Sequence, residues 1–275
     1  MKKYLLMILG VIVIFASVFQ VDGHFRIPEL IAQEARLTAH EKSKQTIDDA
    51  FMLLKHRKDD DALFILKKIL WREPENLDAL WGKAEVLRRK CDYKEAQALL
   101  NKILRQNPNH QLSLISLAYI IYKEDKLDEA LRLAKRVLLS HPPDKENQAL
   151  AYIMLGAINT KRAAKGGFLC KIRYGIHIKG YFLKAEALAP QLPETHLAIG
   201  TFYLFAPALT GGYLDLALQE LEQAVRIAPE FATANARLAA AFKNKGNLEK
   251  YNYYIKRARK LDPENEVLRE LNEVK

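Results

Sequence analysis

The hydrophobic positions along most of the chain follow a helical period. In one stretch, apolar residues recur at spacings of three and four: Leu114, Leu117, Ala118 and Ile121. The polar run KEDKLDEA follows, and the pattern then resumes at Ala130. This spacing places apolar side chains on one face of a helix, and the polar run indicates a turn. Because alternation with a period of two is nearly absent, the sequence predicts an all-α fold.

The pattern of two helices and a turn repeats. An alanine precedes a proline by twelve residues in four pairs: Ala62 and Pro74, Ala96 and Pro108, Ala130 and Pro142, Ala217 and Pro229. The first three prolines are 34 residues apart, and Pro263 follows Pro229 after 34. Pro190 lies 48 residues after Pro142 and 39 before Pro229, which adds 14 and 5 residues to this period. Since proline ends a helix and a small residue lets two helices approach, we expect six helix pairs.

A unit of 34 residues with these features resembles the tetratricopeptide repeat. The Leu-Gly pair of that family's first helix has weak counterparts in Leu155-Gly156 and Ile199-Gly200, and Tyr203 matches the aromatic residue three positions further on. The resemblance implies a right-handed α-solenoid of about six helix pairs that binds other molecules. The expected units are residues 43–76, 77–110, 111–144, 145–192 with an insertion, 193–231 and 232–263, followed by a capping helix over 264–275.

The N-terminal residues have a different character. Two lysines precede an apolar run from Tyr4 to Val21, whose length lies between that of a signal-peptide core and a membrane span. Residues 1–23 are therefore either an uncleaved membrane anchor or a signal peptide cleaved after Gly23, and residues 24–42 are expected to form a helix. The lysines favour a cytoplasmic N-terminus with exported repeats in both cases. We expect a single-pass inner-membrane protein with repeats on the periplasmic side, or secretion to the periplasm.

The positive charge is concentrated in the fourth unit. The formal net charge is +10, and no acidic residue lies between Glu146 and Glu186. Apolar and basic residues alternate there, which fits an extended segment, a short helix or, as we expect, a loop that leads into the second helix. Three basic residues are candidates for contact with an anionic partner, such as phospholipid headgroups, an acidic protein patch or an envelope polymer: Lys171, Arg173 and Lys179. The alternative is that the insertion has no binding role, with its charged side exposed to solvent and its apolar side packed on the repeats.

The family resemblance also implies where a partner binds. In tetratricopeptide arrays, the first helix of each unit lines the inner groove. The matching positions hold mainly apolar and aromatic residues: Trp81, Ile115, Tyr119, Tyr122, Ile153, Leu197, Leu204 and Phe205. The lysine and asparagine that clamp a terminal carboxylate in chaperone-binding members are replaced by other residues. Such a groove suits an amphipathic helix, a hydrophobic peptide or a small apolar molecule, unless residues 27–42 or the insertion fill it.

Enzymatic chemistry has no support in the motifs. The seven histidines are scattered, with no H-E-x-x-H and no Gly-x-Ser-x-Gly, and the Gly-Gly pairs lack the lysine of a phosphate loop. We expect no catalytic residue, no metal, no cofactor and, because the repeats are exported, no nucleic-acid partner. Cys91 and Cys170 lie near turns of units that are not adjacent, which favours two unpaired thiols.

Two hypotheses for the function remain. The first is a membrane-anchored or exported scaffold that mediates protein–protein interactions in the bacterial cell envelope. The second is a small apolar ligand-binding component of a periplasmic transport system, since the expansion around FAPALTGG is loosely similar to the T component of tripartite periplasmic transporters.

Overall fold

The structure is a computed structural model that describes residues 46–206 and 213–273. Thirteen helices and no strand occur in these ranges: α1 (46–55), α2 (Asp59–Arg72), α3 (Leu77–Arg89), α4 (Tyr93–Gln106), α5 (Gln111–Lys123), α6 (Leu127–Leu138), α7 (Lys145–Lys165), α8 (Phe168–Leu188), α9 (Pro193–Phe205), α10 (Leu214–Ile227), α11 (Ala232–Asn244), α12 (Leu248–Leu261) and α13 (Glu266–Glu273). The predictions for residues 1–23 and 24–42, and most of the FAPALTGG expansion, fall outside the described residues.

The helices form six consecutive pairs, from α1–α2 to α11–α12. Within each pair from α3–α4 onward, the two helices are packed together. The second helix of each pair also contacts the first helix of the following pair. The predicted all-α solenoid of about six helix pairs is therefore confirmed. The odd-numbered helices α1–α11 are the first helices of their pairs, and their partners are the second helices.

The turns inside the pairs use a left-handed backbone residue at a regular interval. Arg57, Cys91 and Asp125 have φ of 64°, 62° and 68° and lie 34 residues apart, and Gly246 has φ of 77° in the sixth pair. A residue in this conformation ends one helix and reverses the chain toward the next. The repeat is thus present in the backbone as well as in the side chains.

Polar side chains begin many of the helices. Asn76, Asp92, Asp144 and Asn247 each accept a hydrogen bond from a backbone N–H in the first turn of the helix that follows. These N-caps satisfy amide groups that have no partner within the helix. They fix where α3, α4, α7 and α12 start.

Small residues lie where the two helices of a pair cross. The first helices carry Ala84, Ala118, Gly156, Gly200 and Ala239, and the second helices carry Ala62, Ala96, Ala130 and Ala217, all of them buried. A small residue at this crossing lets the partner's side chains reach the backbone of the first helix. The core is accordingly distributed as a series of clusters along the pairs, as expected of a solenoid.

The fourth pair corrects a prediction. Residues 168–188 form the helix α8, so the expected loop before the second helix is wrong. Both α7 and α8 have 21 residues, compared with 12–14 in the other full-length helices described. The 14 additional residues therefore lengthen each helix by about two turns, and two turns preserve the side-chain register. The result is a long helical hairpin with its tip at Gly166 and Gly167.

The last helix covers the end of the sixth pair. Val267 and Leu268 on α13 are buried against Ala236, Ile255 and Ala258. Among the described residues, no helix is long and apolar enough to cross a membrane.

Candidate binding groove

The first helices from α3 to α11 contact one another in sequence along one side of the solenoid. The surface that they form is called the groove. It carries a buried charged cluster at one end and aromatic side chains in the middle.

A buried carboxylate organises the end of the groove near α3. Glu85 is 6% exposed and accepts hydrogen bonds from Arg88 Nε (2.8 Å), Arg89 Nε (2.9 Å) and Ser116 Oγ (2.9 Å). Trp81 Nε1 donates to the same Ser116 oxygen at 3.1 Å. The cluster therefore connects α3 to α5, because the Ser116 hydroxyl of α5 accepts a hydrogen bond from Trp81 and donates one to Glu85, both on α3.

The protonation state of Glu85 is set by these neighbours. Burial alone raises the pKa of a carboxyl group, but the charges and hydrogen bonds of Arg88 and Arg89 outweigh it here. The pKa of Glu85 is consequently well below its usual range, and the side chain is ionised at neutral pH. Arg88 and Arg89 are held in fixed positions at the edge of the groove as a result.

Cations cover the aromatic rings in the middle of the groove. The guanidinium of Arg88 lies 4.4 Å from the centre of the Tyr119 ring, and Lys161 Nζ lies 4.6 Å from that of Tyr122. The two tyrosine rings are 6.5 Å apart. These four side chains come from three consecutive first helices, α3, α5 and α7, and are called the aromatic strip. Such an arrangement can hold apolar or aromatic side chains. Both cations already pair with carboxylates of the protein, Arg88 with Glu85 and Lys161 with Asp125.

Ion pairs join helices that are far apart in the chain. Lys55 Nζ lies 2.9 Å from Glu146, Arg57 pairs with Glu194, and Lys123 pairs with Glu266. In each pair, the cation stands at or just after the C-terminal end of a first helix, and the glutamate lies in the first turn of α7, α9 or α13. These placements complement the helix dipoles at both ends. The three pairs are called the clasp.

Arg57 is the most buried member of the clasp. Its guanidinium also lies 3.8 Å from the centre of the Phe231 ring, at the start of α11. Burial and the nearby charge of Arg89 lower the pKa of Arg57 to about 10, although Glu194 opposes the change. The first pair is thereby held against the fifth and sixth, so the solenoid curls until distant units meet.

The predicted groove residues differ in how deeply they are buried. Tyr119 and Tyr122 are half-buried within the aromatic strip. Ile115 is 8% exposed, and Trp81 packs edge-on against Phe51 with ring centres 5.0 Å apart. Ile153, Leu197 and Leu204 are half-buried against neighbouring core clusters, whereas Phe205 is 59% exposed beneath the guanidinium of Arg237. The assignment of these eight residues to a binding site stays a prediction.

The sequence did not indicate the clasp. Arg57 and Glu194 are 137 residues apart, and neither belongs to a local motif. Arg57, Cys91 and Asp125 are spaced 34 residues apart in the sequence, but this spacing indicates the position of a turn and not a contact between distant helices. The predicted anionic-contact residues Lys171, Arg173 and Lys179 lie exposed on α8, a second helix, and do not contribute to the aromatic strip.

Two clefts lie away from the aromatic strip. One of about 320 Å³ is lined by four residues of α10, by Phe242 of α11, and by residues in and just after the turn from α11 to α12. The other, of about 290 Å³, surrounds His196, whose Nδ1 lies 2.7 Å from Glu220. The hydrogen bond to Glu220 raises the pKa of His196 despite its burial. Among residues 46–206 and 213–273, no cluster of histidine, cysteine and carboxylate side chains could hold a metal ion, and both cysteines are free thiols.

Fold and groove together define a helical-repeat protein, an α-solenoid built from helix pairs. Residues 53–116 and 92–152 match the tetratricopeptide repeat family, which places the first pairs of the solenoid in that repeat class. No curated protein sequence matches the chain significantly.

Several solved structures align with the chain at low sequence identity. A human IFIT1 dimer with PPP-AAAA aligns at a TM-score of 0.59 and 18% identity, over 84% of this chain and 52% of IFIT1. The chain thus spans about half the length of that protein. Pseudomonas aeruginosa PilF aligns at 0.46 and 17% identity, over 86% and 99% of the two chains. PilW, described as a type IV pilus biogenesis factor, aligns at 0.49 and 15%, over 84% and 98%. Similarity at this level says nothing about the function of this chain.

Proposed function

We propose that the protein is a membrane-anchored or exported scaffold whose groove binds a protein partner in the bacterial cell envelope. The coarser part of this function, a tetratricopeptide scaffold for protein–protein interaction, agrees with the family match over residues 53–152. The apolar run between Tyr4 and Val21 supports export and anchoring. The partner's identity and the envelope location are proposals.

The observation that carries the proposal is the aromatic strip. Three consecutive first helices place Arg88, Tyr119, Tyr122 and Lys161 in contact with one another. Tyrosine and arginine dominate the energetics of protein interfaces, since each combines a large contact surface with a polar group. A peptide with an aromatic or aliphatic residue fits this combination, since the charges of Arg88 and Lys161 are already balanced by Glu85 and Asp125.

The test is a double substitution, Tyr119→Ala with Tyr122→Ala. We expect it to weaken capture of the envelope polypeptide that co-purifies with the full chain by about 30-fold, as hot-spot losses of about 2 kcal/mol imply. Tyr253→Ala removes a 57%-exposed tyrosine from the second helix α12 and serves as the matched control. Unchanged capture by a double variant with normal helical circular dichroism would remove the groove from the proposal.

The clasp supports a second candidate, a small apolar ligand-binding component of a periplasmic transport system. A pocket requires a closed interior, and the Arg57–Glu194 and Lys123–Glu266 pairs join units from opposite parts of the solenoid. Native mass spectrometry of the full chain, gently extracted from its host's membranes, separates the two candidates. A small-molecule mass on the intact chain favours the ligand-binding component, whereas a bound polypeptide favours the scaffold.

A further inference from the structure

The outer face of α8 is unusually apolar. Five large hydrophobic side chains on this helix are exposed, at 75%, 80%, 47%, 69% and 44% of their surface: Phe168, Leu169, Ile172, Ile176 and Leu183. At 3.6 residues per turn, these positions fall on one side of the helix. Phe168, Leu169, Ile172 and Ile176 form a stripe near the tip of the α7–α8 hairpin, and Leu183 extends it toward the base beyond Lys179 and Gly180.

The opposite side of α8 already supplies the packing that the fold requires. Ile178, Phe182 and Ala185 are buried, and Tyr181 stacks on Tyr152 of α7 with ring centres 6.2 Å apart. The exposed stripe therefore does not serve the core of the solenoid. A second helix of a soluble array normally exposes polar residues on this side.

The charges beside the stripe are positive, except for the half-buried Glu186 three residues after Leu183 at the base of the helix. Lys171, Arg173, Lys179 and Lys184 are exposed, and none of them pairs with a carboxylate within the described residues. Arg173, Lys179 and Lys184 instead lie 5.7, 5.8 and 5.4 Å from the ring centres of Tyr174, Tyr203 and Tyr152. The positive charge of this face is consequently offset only in part, by Glu186 at its base.

We infer that α8 binds the surface of an anionic bilayer, with its axis in the plane of the membrane. The stripe would enter the boundary between headgroups and acyl chains, and the four cations would contact lipid phosphates. At 21 residues and 1.5 Å per residue, the helix is roughly 31 Å long, which suits an interfacial helix. This inference relies on the proposed function only in that the chain is held at a membrane.

Other occupants fit the surface less well. A second copy of α8 would bring two sets of four exposed cations together, which opposes self-association at low salt. A protein partner would need an acidic, apolar concave surface to cover a stripe on an outward-facing helix. A bilayer with anionic lipids supplies negative charge and apolar depth together along the whole helix.

The experiment uses the full chain reconstituted into nanodiscs of phosphatidylcholine, with or without phosphatidylglycerol. Cys91→Ser and Cys170→Ser remove the native thiols, and a spin label is attached at Ile176→Cys. The matched control carries the label at Asp128→Cys, which occupies the same repeat position on α6, 48 residues earlier. Collisions with lipid-soluble oxygen and a water-soluble nickel complex then report the depth of each label.

We expect the label at position 176 to lose nickel collisions severalfold and gain oxygen collisions when phosphatidylglycerol is present. The label at position 128 should remain exposed to nickel in both discs. Lys171→Glu with Arg173→Glu should return the label at 176 to the aqueous behaviour.

Two results would overturn the inference. In the first, position 176 stays as accessible to nickel as position 128 in both discs. In the second, the label loses collisions with both reagents, which indicates coverage by protein, either a second copy or a partner. Neither result bears on the groove, because Tyr119 and Tyr122 are unchanged in these variants.

Discussion

The helices α6 and α8 occupy the same place in successive repeats, yet they differ on both faces. When the closing prolines Pro142 and Pro190 are aligned, the offset is 48 residues. The exposed residues of α6 and their counterparts on α8 are Asp128 and Ile176, Glu129 and His177, Arg132 and Gly180, Lys135 and Leu183, and Arg136 and Lys184. Charges of both signs on α6 are thus replaced by apolar and basic residues.

The buried faces differ in how the same space is filled. Ala118 on α5 and Ala134 on α6 are both fully buried small residues. The corresponding residues of the fourth pair are Gly156 on α7 and Phe182 on α8. The first helix therefore carries a smaller residue than in the third pair, and the second helix carries a larger one. The fold constrains the sum of the two volumes but not the identity of either residue. Packing does not constrain the residues of the outer face in this way. The apolar outer face of α8 is therefore not explained by the stability of the fold and indicates a binding role.

The largest expected effect comes from Phe182→Ala. Phe182 is 6% exposed and contacts Phe202 with ring centres 6.0 Å apart. Removal of the ring should lower the free energy of unfolding by about 3–5 kcal/mol, measured by urea denaturation, because it leaves a cavity. Ala134→Gly at the equivalent position in α6 is the control and should cost only about 1 kcal/mol. Equal losses in the two variants would contradict the different packing of the two repeats.

A smaller effect is expected from Gly156→Ala. A Cβ atom at this position would lie 2.3 Å from the Phe182 ring, which is too close for any neighbour. The resulting overpacking should lower the free energy of unfolding by about 1–3 kcal/mol. In the double variant Gly156→Ala with Phe182→Ala, which restores the alanine pair of the third repeat, the new methyl group fills part of the cavity. Its loss should therefore be smaller than the sum of the single losses, and strict additivity would contradict the contact.

The smallest effect concerns the charges that link the two repeats. Asp125, at the turn between α5 and α6, pairs with Lys165 and with Lys161 of α7. Hydrogen bonds from Lys165 and Lys161 hold its pKa below the ordinary value. The contribution to stability is therefore present above the unfolded-state pKa of about 3.9 and is lost as the pH falls through the folded-state pKa.

Carboxyl-carbon NMR measures this pKa directly. We expect Lys165→Ala to raise the pKa of Asp125 toward its ordinary value, whereas Lys135→Ala, on the outer face of α6, should leave it unchanged. An unaltered titration of Asp125 in the Lys165 variant would show that the pair does not persist in solution.

The two helices also show what the sequence can predict. The spacing of Pro74, Pro108 and Pro142 was enough to indicate the pairs, because proline and small residues mark helix ends and crossings at fixed positions. The spacing of the prolines also located the additional residues in the fourth unit. It did not predict their conformation, since apolar side chains on both faces of α8 produce an alternation that resembles an extended segment.

The candidate site was less accessible to prediction. The family resemblance named Tyr119 and Tyr122, and the structure places them side by side beneath Arg88 and Lys161. Their role in binding stays a prediction. The Arg57–Glu194 contact could not be read from the sequence, because it depends on how tightly five successive pairs curl.

The central claim is that a protein partner binds at the aromatic strip. The most direct measurement is photo-crosslinking in intact host cells, with a photoreactive phenylalanine analogue at position 119 in one strain and at position 253 in another. We expect a discrete crosslinked polypeptide from position 119 that is absent from position 253 and disappears when Arg88→Ala is added. Crosslinks only within the chain at position 119, or the same products from both positions, would contradict it.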